Sequence, residues 1–414
     1  MKRIQLSETV KLYPTEYQIE LTRNTMSEYI STVNNIVSDY TNKDNGNIES
    51  VKEIKNIKSI SKLTTADVKA KLPSALCNQC IRDAKSIVKK YDKACKEVEK
   101  AKKNKKNKKS KKNKNSKNVK EVEEIKEVKE VKKLKEIKVP VLKKLCCYIN
   151  NQNFKIQDNY ISFPVMIDGK SKRISVKTKM TDKQKLILSS HRLGTMRIVI
   201  KNINTLVAQF VYEINEIEKV NESNNVMGVD LGIKCPAVSY CTDGSVKFYD
   251  NGRNNKYMRR HYANLRKWFQ KAKKPTVVKR IKNKEQRIMK DIDHKISREI
   301  VNTAKKHKAK VIKLERLENI RSTTRTSCKN NPSLHTWSFY RLAQYIEYKA
   351  KLVGIEVEYV DPAYTSQKCP QCGNIHHAKD RKYICKCGYH THRDLLGAIN
   401  ICNSTEYIGN RCIA

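Results

Sequence analysis

Residues 364–400 determine how this chain is organised, and they read YTSQKCPQCGNIHHAKDRKYICKCGYHTHRDLLGAIN. The stretch contains four cysteines in two close pairs: Cys369, Cys372, Cys385 and Cys387. Thiolates are soft ligands that close a tetrahedron around Zn²⁺, so paired cysteines in a reducing compartment predict a structural zinc site. Asp394 follows the second pair at the head of an apolar helical run. A carboxylate at this point suggests that the zinc module positions a catalytic acid.

The charge of the chain indicates its partner. Its 414 residues include 87 Lys and Arg against 42 Asp and Glu, a formal net charge of +45. Such an excess repels itself unless a polyanion neutralises it, and nucleic acid is the default polyanion. An anionic membrane surface is the alternative, but no run approaches the roughly 20 apolar residues of a membrane span.

The first residues and the cysteines of the chain predict its cellular compartment. Residues 1–10 lack the apolar core of a secretory signal. The 14 cysteines therefore favour metal binding and buried thiols over disulfides. We expect a protein that is not secreted: cytoplasmic, and associated with the nucleoid if the source is prokaryotic.

The amino-terminal half alternates between helical and β-rich segments. Residues 1–13 predict a strand, and 16–40 and 64–103 predict helices. Short β-rich runs over 139–222 predict a small barrel or sandwich. Cys77 and Cys80 form a lone CxxC on the second helix, which we interpret as buried core thiols rather than half of a metal site.

Two segments between these elements have unusual composition. Residues 102–118 are nearly all Lys, Asn and Ser, which predicts a disordered, solvated tether. Residues 119–137 repeat an apolar residue at every third position. A period of three drifts around a helix of 3.6 residues per turn, so no single face can be buried. We expect a weakly helical surface insertion there.

The carboxyl-terminal half alternates strands with helices. Two or three antiparallel strands are predicted within 224–251, and a long basic helical region over 257–308 is broken at Pro275. The remaining predicted elements are a strand over 311–314, a helix within 331–352, a strand over 355–360 and a closing helix over 395–401.

Three carboxylates occupy special places in this order. Asp230 lies on the first strand, Glu315 ends a later strand, and Asp394 heads the last helix. The element order is that of an RNase H-like core. Clustered carboxylates are hard ligands for Mg²⁺ or Mn²⁺, and two such ions can promote phosphodiester hydrolysis.

The alternative for each acid alone is a helix cap or a salt bridge, and for Asp394, which follows Arg393, that alternative is strong. For all three acids in this order it is weak. Asp291 and Asp293, two residues apart on a helix, point to different faces and are not expected to form a site.

At these positions the sequence resembles the TnpB family of transposon-encoded, RNA-guided DNA nucleases, which are related to type V CRISPR effectors and to Fanzor proteins. The motifs that carry the resemblance are GVDLGI around Asp230, KLERLENI around Glu315 and YTSQKCPQCG…CKCGYHTHRD before and through Asp394. The similarity is specific over about residues 225–403, whereas the amino-terminal half agrees only in general plan.

The resemblance implies an α/β multidomain protein. A RuvC-like nuclease domain would comprise 223–364 and 389–414, with Asp230, Glu315 and Asp394 as catalytic metal ligands. A zinc ribbon would span 365–388. A wedge-like β-barrel module would comprise 1–15 and 139–222, and a helical recognition lobe would span 16–138, with a Lys-rich insertion at about 102–138.

The resemblance also implies two partners. They are a guide RNA from the transposon end and a target DNA that the guide reads by base pairing. Oligomeric state is not predicted by the sequence.

The chain departs from the family pattern at two places. The second cysteine pair is CxC where most relatives have CxxC. The alternatives are zinc bound in altered geometry, zinc bound weakly, or substitution by His376, His377 or His390, although we interpret these histidines as surface residues of the ribbon. After Arg393-Asp394 the chain reads Leu-Leu-Gly-Ala, whereas the family continues with one residue and then Asn-Ala-Ala. This removes a polar neighbour of Asp394.

We therefore predict an RNA-guided, Mg²⁺-dependent endodeoxyribonuclease of a transposable element. The alternatives are a nuclease-inactive, guided nucleic-acid-binding regulator and an unguided RNase H-like nuclease or transposase. A protein that only binds has no need to bury three acids, which argues against the regulator. The altered surroundings of Asp394 keep that alternative open.

Overall fold

The computed structural model describes residues 3–41, 60–112, 137–202, 205–215, 223–317, 331–378, 380–405 and 407–409. The described residues form two compact units, one within residues 3–214 and one within 215–414. In the described part of the chain, no helix combines the length and the apolar character that crossing a membrane requires.

Among its described residues, the first unit combines one sheet with three α-helices. Its strands are β1 (Arg3–Tyr13), β2 (Cys146–Ile149), β3 (Lys155–Gln157), β4 (Tyr160–Ile167), β5 (Lys170–Thr178), β6 (Arg192–Asn202) and β7 (Thr205–Asn215). Its helices are α1 (Glu16–Thr41), α2 (Ser74–Lys112) and α3 (Asp182–Ser190). The sheet order is β2-β6-β7-β1-β5-β4-β3. The predicted first strand and first helix are thus confirmed, and closure of the sheet into a barrel stays a prediction.

Helices α1 and α2 pack together through a mostly apolar interface. Tyr29 and Cys80 are almost fully buried in it, and the Cys80 thiol donates to the Tyr29 carbonyl at 3.6 Å. The Tyr29 hydroxyl donates to Asp83 at 2.6 Å. Cys77 is 5% exposed, so both thiols of the lone CxxC are core residues as predicted.

Helix α2 differs from the prediction at both ends. It begins at Ser74 rather than near residue 64, because Pro73 fixes its own backbone and cannot donate within a helix. It continues through Lys112, so the predicted disorder of residues 102–112 is wrong. Lysine has good helix propensity, and a helix already nucleated by packing extends through it at little cost. The predictions for 113–118 and 119–136 fall outside the described residues.

The second unit contains one large sheet, one hairpin and five helices among its described residues. Its strands are β8 (Val226–Asp230), β9 (Ala237–Cys241), β10 (Val246–Tyr249), β11 (Val311–Glu315), β12 (Glu356–Val360), β13 (Lys382–Ile384), β14 (His390–His392) and β15 (Tyr407–Gly409). Its helices are α4 (Gly252–Lys271), α5 (Pro275–Lys306), α6 (Asn331–Thr336), α7 (Phe339–Lys351) and α8 (Arg393–Asn403).

The large sheet has the order β10-β9-β8-β11-β12-β15. Strands β8, β9 and β10 are antiparallel, whereas β11 runs parallel to both β8 and β12. The central strands are short apolar runs, as expected of parallel strands that are covered on both faces. Pro275 is the first residue of α5, which explains the predicted break in the basic helical region.

The predicted helix over 331–352 is divided in two. Helix α6 ends at Thr336 and α7 begins at Phe339. Between them the Trp337 ring packs against the apolar core and lies 5.2 Å from the Phe339 ring. The helical pattern is thus interrupted at Trp337 and Ser338, where the indole is partly buried against the core.

The two faces of the large sheet are covered by different helices. Met227 and Val229 of β8 share an apolar core with α5 and α7. Successive side chains of a strand point to opposite faces, so Gly228 and Asp230 face the other way. There a Cβ on Gly228 would overlap backbone atoms of Ala398 and Cys402. Helix α8 therefore lies directly against β8, and only glycine permits that approach.

Lys313 fastens the other end of α8 to the same face. Its Nζ donates to the carbonyl oxygens of Cys402 at 3.2 Å and Ser404 at 2.7 Å. These carbonyls lie at the carboxyl end of α8, where a cation is favourable. The helix is thus held by close packing at Gly228 and by a lysine from β11.

Replacing Gly228 by alanine is expected to destabilise the second unit by roughly 3 kcal/mol or more, because the new methyl group overlaps backbone rather than a movable side chain. Gly194→Ala is the matched control, since its Cβ would lie an ordinary 3.5 Å from Val211. Thermal and urea unfolding of both variants would test this. Equal stability of G228A and wild type would contradict the described contact between α8 and β8.

Candidate active site

Two of the predicted acids lie at the same edge of the large sheet. Asp230 is the last residue of β8 and Glu315 is the last residue of β11. These strands are parallel neighbours, so their carboxyl ends meet. Asp230 shares its face with Gly228, and Glu315 shares its face with Lys313, by the two-residue period of a strand. Both acids therefore point to the face that α8 covers.

Asp394 reaches this edge from α8. It lies in the first turn of the helix and is 9% exposed. One turn further, the position that a Cβ of Gly397 would take is 3.1 Å from Asp230 Cγ and Oδ2. The carboxylate of Asp230 thus lies against the backbone of the helix that carries Asp394.

The electrostatics of Asp230 agree with this arrangement of the three acids. Burial raises its pKa well above the usual range, and the neighbouring carboxylates Glu315 and Asp394 raise it further. The guanidinium groups of Arg393 and Arg381 act in the opposite direction without cancelling the effect. The structure therefore brings together the three acids that the sequence singled out.

Glu315 has a donor of its own. The pKa of Glu315 is raised to about 7, chiefly by burial and further by the charge of Asp361. The Thr365 hydroxyl, which donates to Glu315 Oε1, opposes this rise. Thr365 is 8% exposed. Asn400 of α8 fixes the segment around it, since its Nδ2 donates to the carbonyls of Thr365 at 2.7 Å and Lys368 at 2.8 Å.

Asp394 is held by the hairpin of β13 and β14. Arg381, directly before β13, forms an ion pair with the Asp394 carboxylate through Nη1. The hairpin closes at Arg393, whose backbone N–H donates to the Arg381 carbonyl at 2.7 Å. His392 caps α8 by accepting the Asp394 N–H at 3.3 Å. The hairpin thus orients the acid from outside the sheet.

The four predicted cysteines form one cluster. The sulfur atoms of Cys369, Cys372, Cys385 and Cys387 all lie within 4.8 Å of one another. The Cys369–Cys387 distance is 3.7 Å and the Cys372–Cys385 distance is 3.4 Å. A tetrahedral ion with Zn–S bonds of about 2.3 Å separates its sulfurs by about 3.8 Å. The donor set and its spacing therefore fit one metal ion.

The CxC departure leaves this cluster complete. Cys385 is buried and Cys387 is exposed, yet both sulfurs lie within 4.8 Å of those of Cys369 and Cys372. Four thiolates suffice for a tetrahedron, and the group found among the described residues contains no histidine. The ring of His376 instead lies 5.7 Å from the Tyr383 ring.

The second departure has a structural consequence at Leu396. This residue is fully buried and joins an apolar cluster with Cys369, Tyr383 and Cys385. The position where the family has a polar residue thus packs α8 against the cysteine module. Asp394 receives its polar contacts from Arg381 and His392 instead.

Asp291 and Asp293 lie on opposite sides of α5, as predicted. Asp291 is 62% exposed and pairs with Lys295 at 2.8 Å, whereas Asp293 is buried and pairs with Arg341 at 2.6 Å. Both have partners elsewhere and neither joins the three acids.

Sequence reasoning missed three residues that contact this site: Thr365, Arg381 and Asn400. All three lie within the stretch that the sequence singled out, yet none has a periodicity or a paired spacing that marks it. Their roles depend on how the hairpin and α8 meet, which spacing alone does not determine.

Two family models match parts of this chain. A family model described as "Probable transposase" matches residues 209–321, and a model described as "Cas12f1-like, TNB domain" matches residues 339–401. The first match contains Asp230 and Glu315. The second contains the cysteine cluster and Asp394.

Individual relatives extend the comparison. A TnpB-like protein of Methanocaldococcus jannaschii is 28% identical over 273 residues, covering 62% of this chain and 95% of the relative. A CRISPR-associated endodeoxyribonuclease Cas12f1 of Sulfoacidibacillus thermotolerans is 29% identical over 208 residues, covering 46% of this chain and 48% of the relative. The chain thus spans about half of the Cas12f1 relative.

One solved structure shares the overall fold. The cryo-EM structure of a Cas12f1–sgRNA–target DNA complex matches with a TM-score of 0.54 and 14% identity, over 98% of this chain and 99% of that one. The predicted resemblance to the TnpB family is confirmed: the chain is similar to TnpB-like proteins and to Cas12f endodeoxyribonucleases.

Asn400→Ala is expected to loosen the segment that carries Thr365, because two carbonyls lose their shared donor at a cost of about 1–3 kcal/mol. Hydrogen exchange should rise over residues 364–369 and stay unchanged in β9 and β10. Asn403→Ala, at an exposed position of the same helix, is the control. Unchanged protection of residues 364–369 in N400A would contradict the anchoring role of Asn400.

Proposed function

We propose that this chain is an RNA-guided DNA endonuclease of a transposable element that hydrolyses phosphodiesters in a metal-dependent, RuvC-like site. The observation that carries the proposal is the meeting of Asp230, Glu315 and Asp394 at one sheet edge. The strand order, with three antiparallel strands followed by two parallel ones, supports an RNase H-like core.

The three acids fit Mg²⁺ or Mn²⁺ by their chemistry. Carboxylates are hard oxygen ligands. The raised pKa of Asp230 reflects burial first and then the like charges of Glu315 and Asp394, which the arginines compensate only in part. A cation at this edge relieves that repulsion. When bound, such ions supply Lewis-acid activation of water and stabilise the leaving oxygen.

The residues of the chain would perform distinct tasks around that chemistry. Asp230 and Asp394 would hold the ions, with Glu315 as a third ligand oriented by the Thr365 hydroxyl. Arg381, paired with Asp394, limits the negative charge of the metal-free site. It is also a cation near the position where a phosphate would bind.

Structural zinc in the cysteine cluster is part of the proposal. Two cysteines of the cluster belong to the same apolar core as Leu396 of α8. The hairpin that contains Cys385 and Cys387 is preceded directly by Arg381 and ends at His392, the cap of α8. An ion that fixes the four sulfurs would therefore also fix the orientation of an acid at the sheet edge.

Two observations support guide RNA and target DNA as partners: the net charge of the chain and its similarity to a protein of known structure. A net charge of +45 needs a polyanion, and the matched cryo-EM structure is of a protein bound to both kinds of nucleic acid. Sequence would be read by base pairing of the guide, and the protein would recognise backbone shape.

A second candidate function is transposition, favoured by the description "Probable transposase" of one matching family model. Strand transfer and hydrolysis would use the same acids and differ in the nucleophile, which is a DNA 3′-hydroxyl in strand transfer and water in hydrolysis. A donor DNA with a free 3′ end distinguishes them, since only transposition joins that end to the target.

The proposed function predicts one discrete, nuclease-protected RNA when the chain is expressed with its flanking DNA. That RNA should direct Mg²⁺-dependent cleavage of a matching target. Asp230→Ala should lower the cleavage rate roughly a thousandfold or more, because several kcal/mol of transition-state stabilisation depend on the ions. It should still co-purify with the RNA.

Asp291→Ala, which removes an exposed acid outside the site, should cleave like wild type. If the co-purified RNA is heterogeneous and matches the RNA that co-purifies with an unrelated protein of the same charge, the proposal of a guide RNA is contradicted. Normal cleavage by D230A would contradict the assigned site.

Purified chain is expected to contain about one equivalent of zinc, because four thiolates complete one tetrahedron. Cys387→Ser should lower the zinc content well below one, as measured by elemental analysis after dialysis. Cys95→Ser, a half-buried thiol on α2, should leave it unchanged. Wild-type chain free of zinc, or C387S with full zinc, would refute the assignment.

A further inference from the structure

Helix α4 presents a face that the proposed catalytic site does not use. An open groove of about 450 Å³ runs along it. The residues that line the groove are Tyr257, Arg260, His261, Asn264, Leu265 and Trp268. Their spacing of three and four residues places them on one side of the helix. We name this side the α4 aromatic face.

The aromatic side chains on this face are unusually exposed. Tyr257 is 63% exposed and Trp268 is 60% exposed, although residues of this size are normally mostly buried. They lie eleven residues apart, or roughly 16 Å along the helix at 1.5 Å per residue. The His261 ring stacks near Tyr257, with centroids 6.1 Å apart and planes 21° apart. The face thus offers flat rings at both ends.

The charge of the helix limits what can cover these rings. Helix α4 contains seven Arg and Lys residues and no Asp or Glu. Arg266 is neutralised by Glu285 at 2.6 Å, whereas Arg260 and Lys267 are exposed. A second copy of a chain with net charge +45 would bring like charges together on this face. A polyanion is the complementary partner.

The exposed rings further narrow the kind of polyanion. A duplex presents phosphates and groove edges, so it leaves flat protein rings without partners. Unpaired bases have accessible faces that stack on aromatic side chains, while cations follow the phosphates. The combination of rings and cations on one face therefore favours single-stranded over double-stranded nucleic acid.

Helix α4 also begins close to the acidic edge of the sheet. The Gly252 N–H donates to the Lys234 carbonyl at 3.0 Å, and a Cβ on Gly252 would overlap the backbone at Ile233. Lys234 is four residues beyond Asp230, a distance of at most roughly 14 Å of extended chain. A strand bound along the helix therefore has one end near the three acids.

We propose that the α4 aromatic face binds an unpaired segment of nucleic acid, with bases stacked on Trp268 and Tyr257 and phosphates paired with Arg260 and Lys267. The relevance of this track to substrate delivery rests on the proposed nuclease function. The binding itself does not depend on that function, so the test measures binding in the Asp230→Ala variant.

Trp268 supplies its own optical probe. The chain contains two tryptophans, so Trp337→Phe in the D230A chain leaves Trp268 as the sole indole. A 15-nucleotide dT oligomer should quench its emission at low salt in EDTA. An abasic oligomer of the same length, which carries the phosphates without bases, should bind with little quenching. A base-paired hairpin should behave like the abasic oligomer.

Affinity separates stacking from other contacts at the same place. In the D230A background, Trp268→Ala should weaken dT binding about tenfold, within the range measured for one stacked base. Trp268→Phe, which keeps a flat ring, should recover most of that loss, whereas Trp268→Leu should not. Tyr160→Ala, which removes an aromatic residue 48% exposed on β4, is the control and should match the parent.

Three results would overturn the proposal: equal quenching by dT and abasic oligomers, wild-type affinity in W268A, or rescue by leucine as complete as by phenylalanine. Concentration-dependent self-association that W268A abolishes would assign the face to a second copy. If dT binding is as expected but the wild-type protein cleaves no DNA, this inference stands and the proposed nuclease function is refuted.

Discussion

The contact between α8 and β8 at Gly228 is the constraint on which the second unit depends. A side chain at this position would overlap the backbone of Ala398 and Cys402, so glycine sets the distance between helix and sheet. That distance in turn brings Gly397 against the carboxylate of Asp230. If the helix lay further from the sheet, Asp394 would be separated from the two strand-end acids. The geometry of the candidate site is thus set by backbone packing before any polar contact is made.

The acids are held together against their own repulsion by the rest of this unit. Burial and mutual charge raise the pKa of Asp230, which is a cost in folding free energy at neutral pH. The cost is offset by an apolar core beneath the sheet, in which Ile312, Leu314 and Ile346 are fully buried. Arg381 compensates part of the charge from the hairpin side. A functional site that strains the fold in this way is expected to be surrounded by strong packing.

The sequence predicted the positions of the acids because strand ends and helix starts leave local signals. Asp230 and Glu315 each follow a short apolar run, and Asp394 precedes an apolar helical run. The contacts of Thr365 and Arg381 leave no such signal, since they arise where distant segments meet. The end of α2 was mispredicted for a related reason: composition indicated disorder, whereas continuation of a packed helix decided the outcome. The local sequence pattern identified the three acids, whereas the residues that contact them depend on the tertiary structure.

Leu396 has a consequence for anyone who wishes to re-engineer this protein. Its side chain belongs to the apolar cluster of the cysteine module, while its helix carries Asp394 and packs on Gly228. The cysteine module and the last helix therefore form a single structural unit, although the first resembles a separate metal-binding module and the second covers the sheet. A transplant or deletion that cuts between Cys387 and Arg393 would divide a shared core. Chimaeras with related proteins should exchange residues 364–403 as one piece.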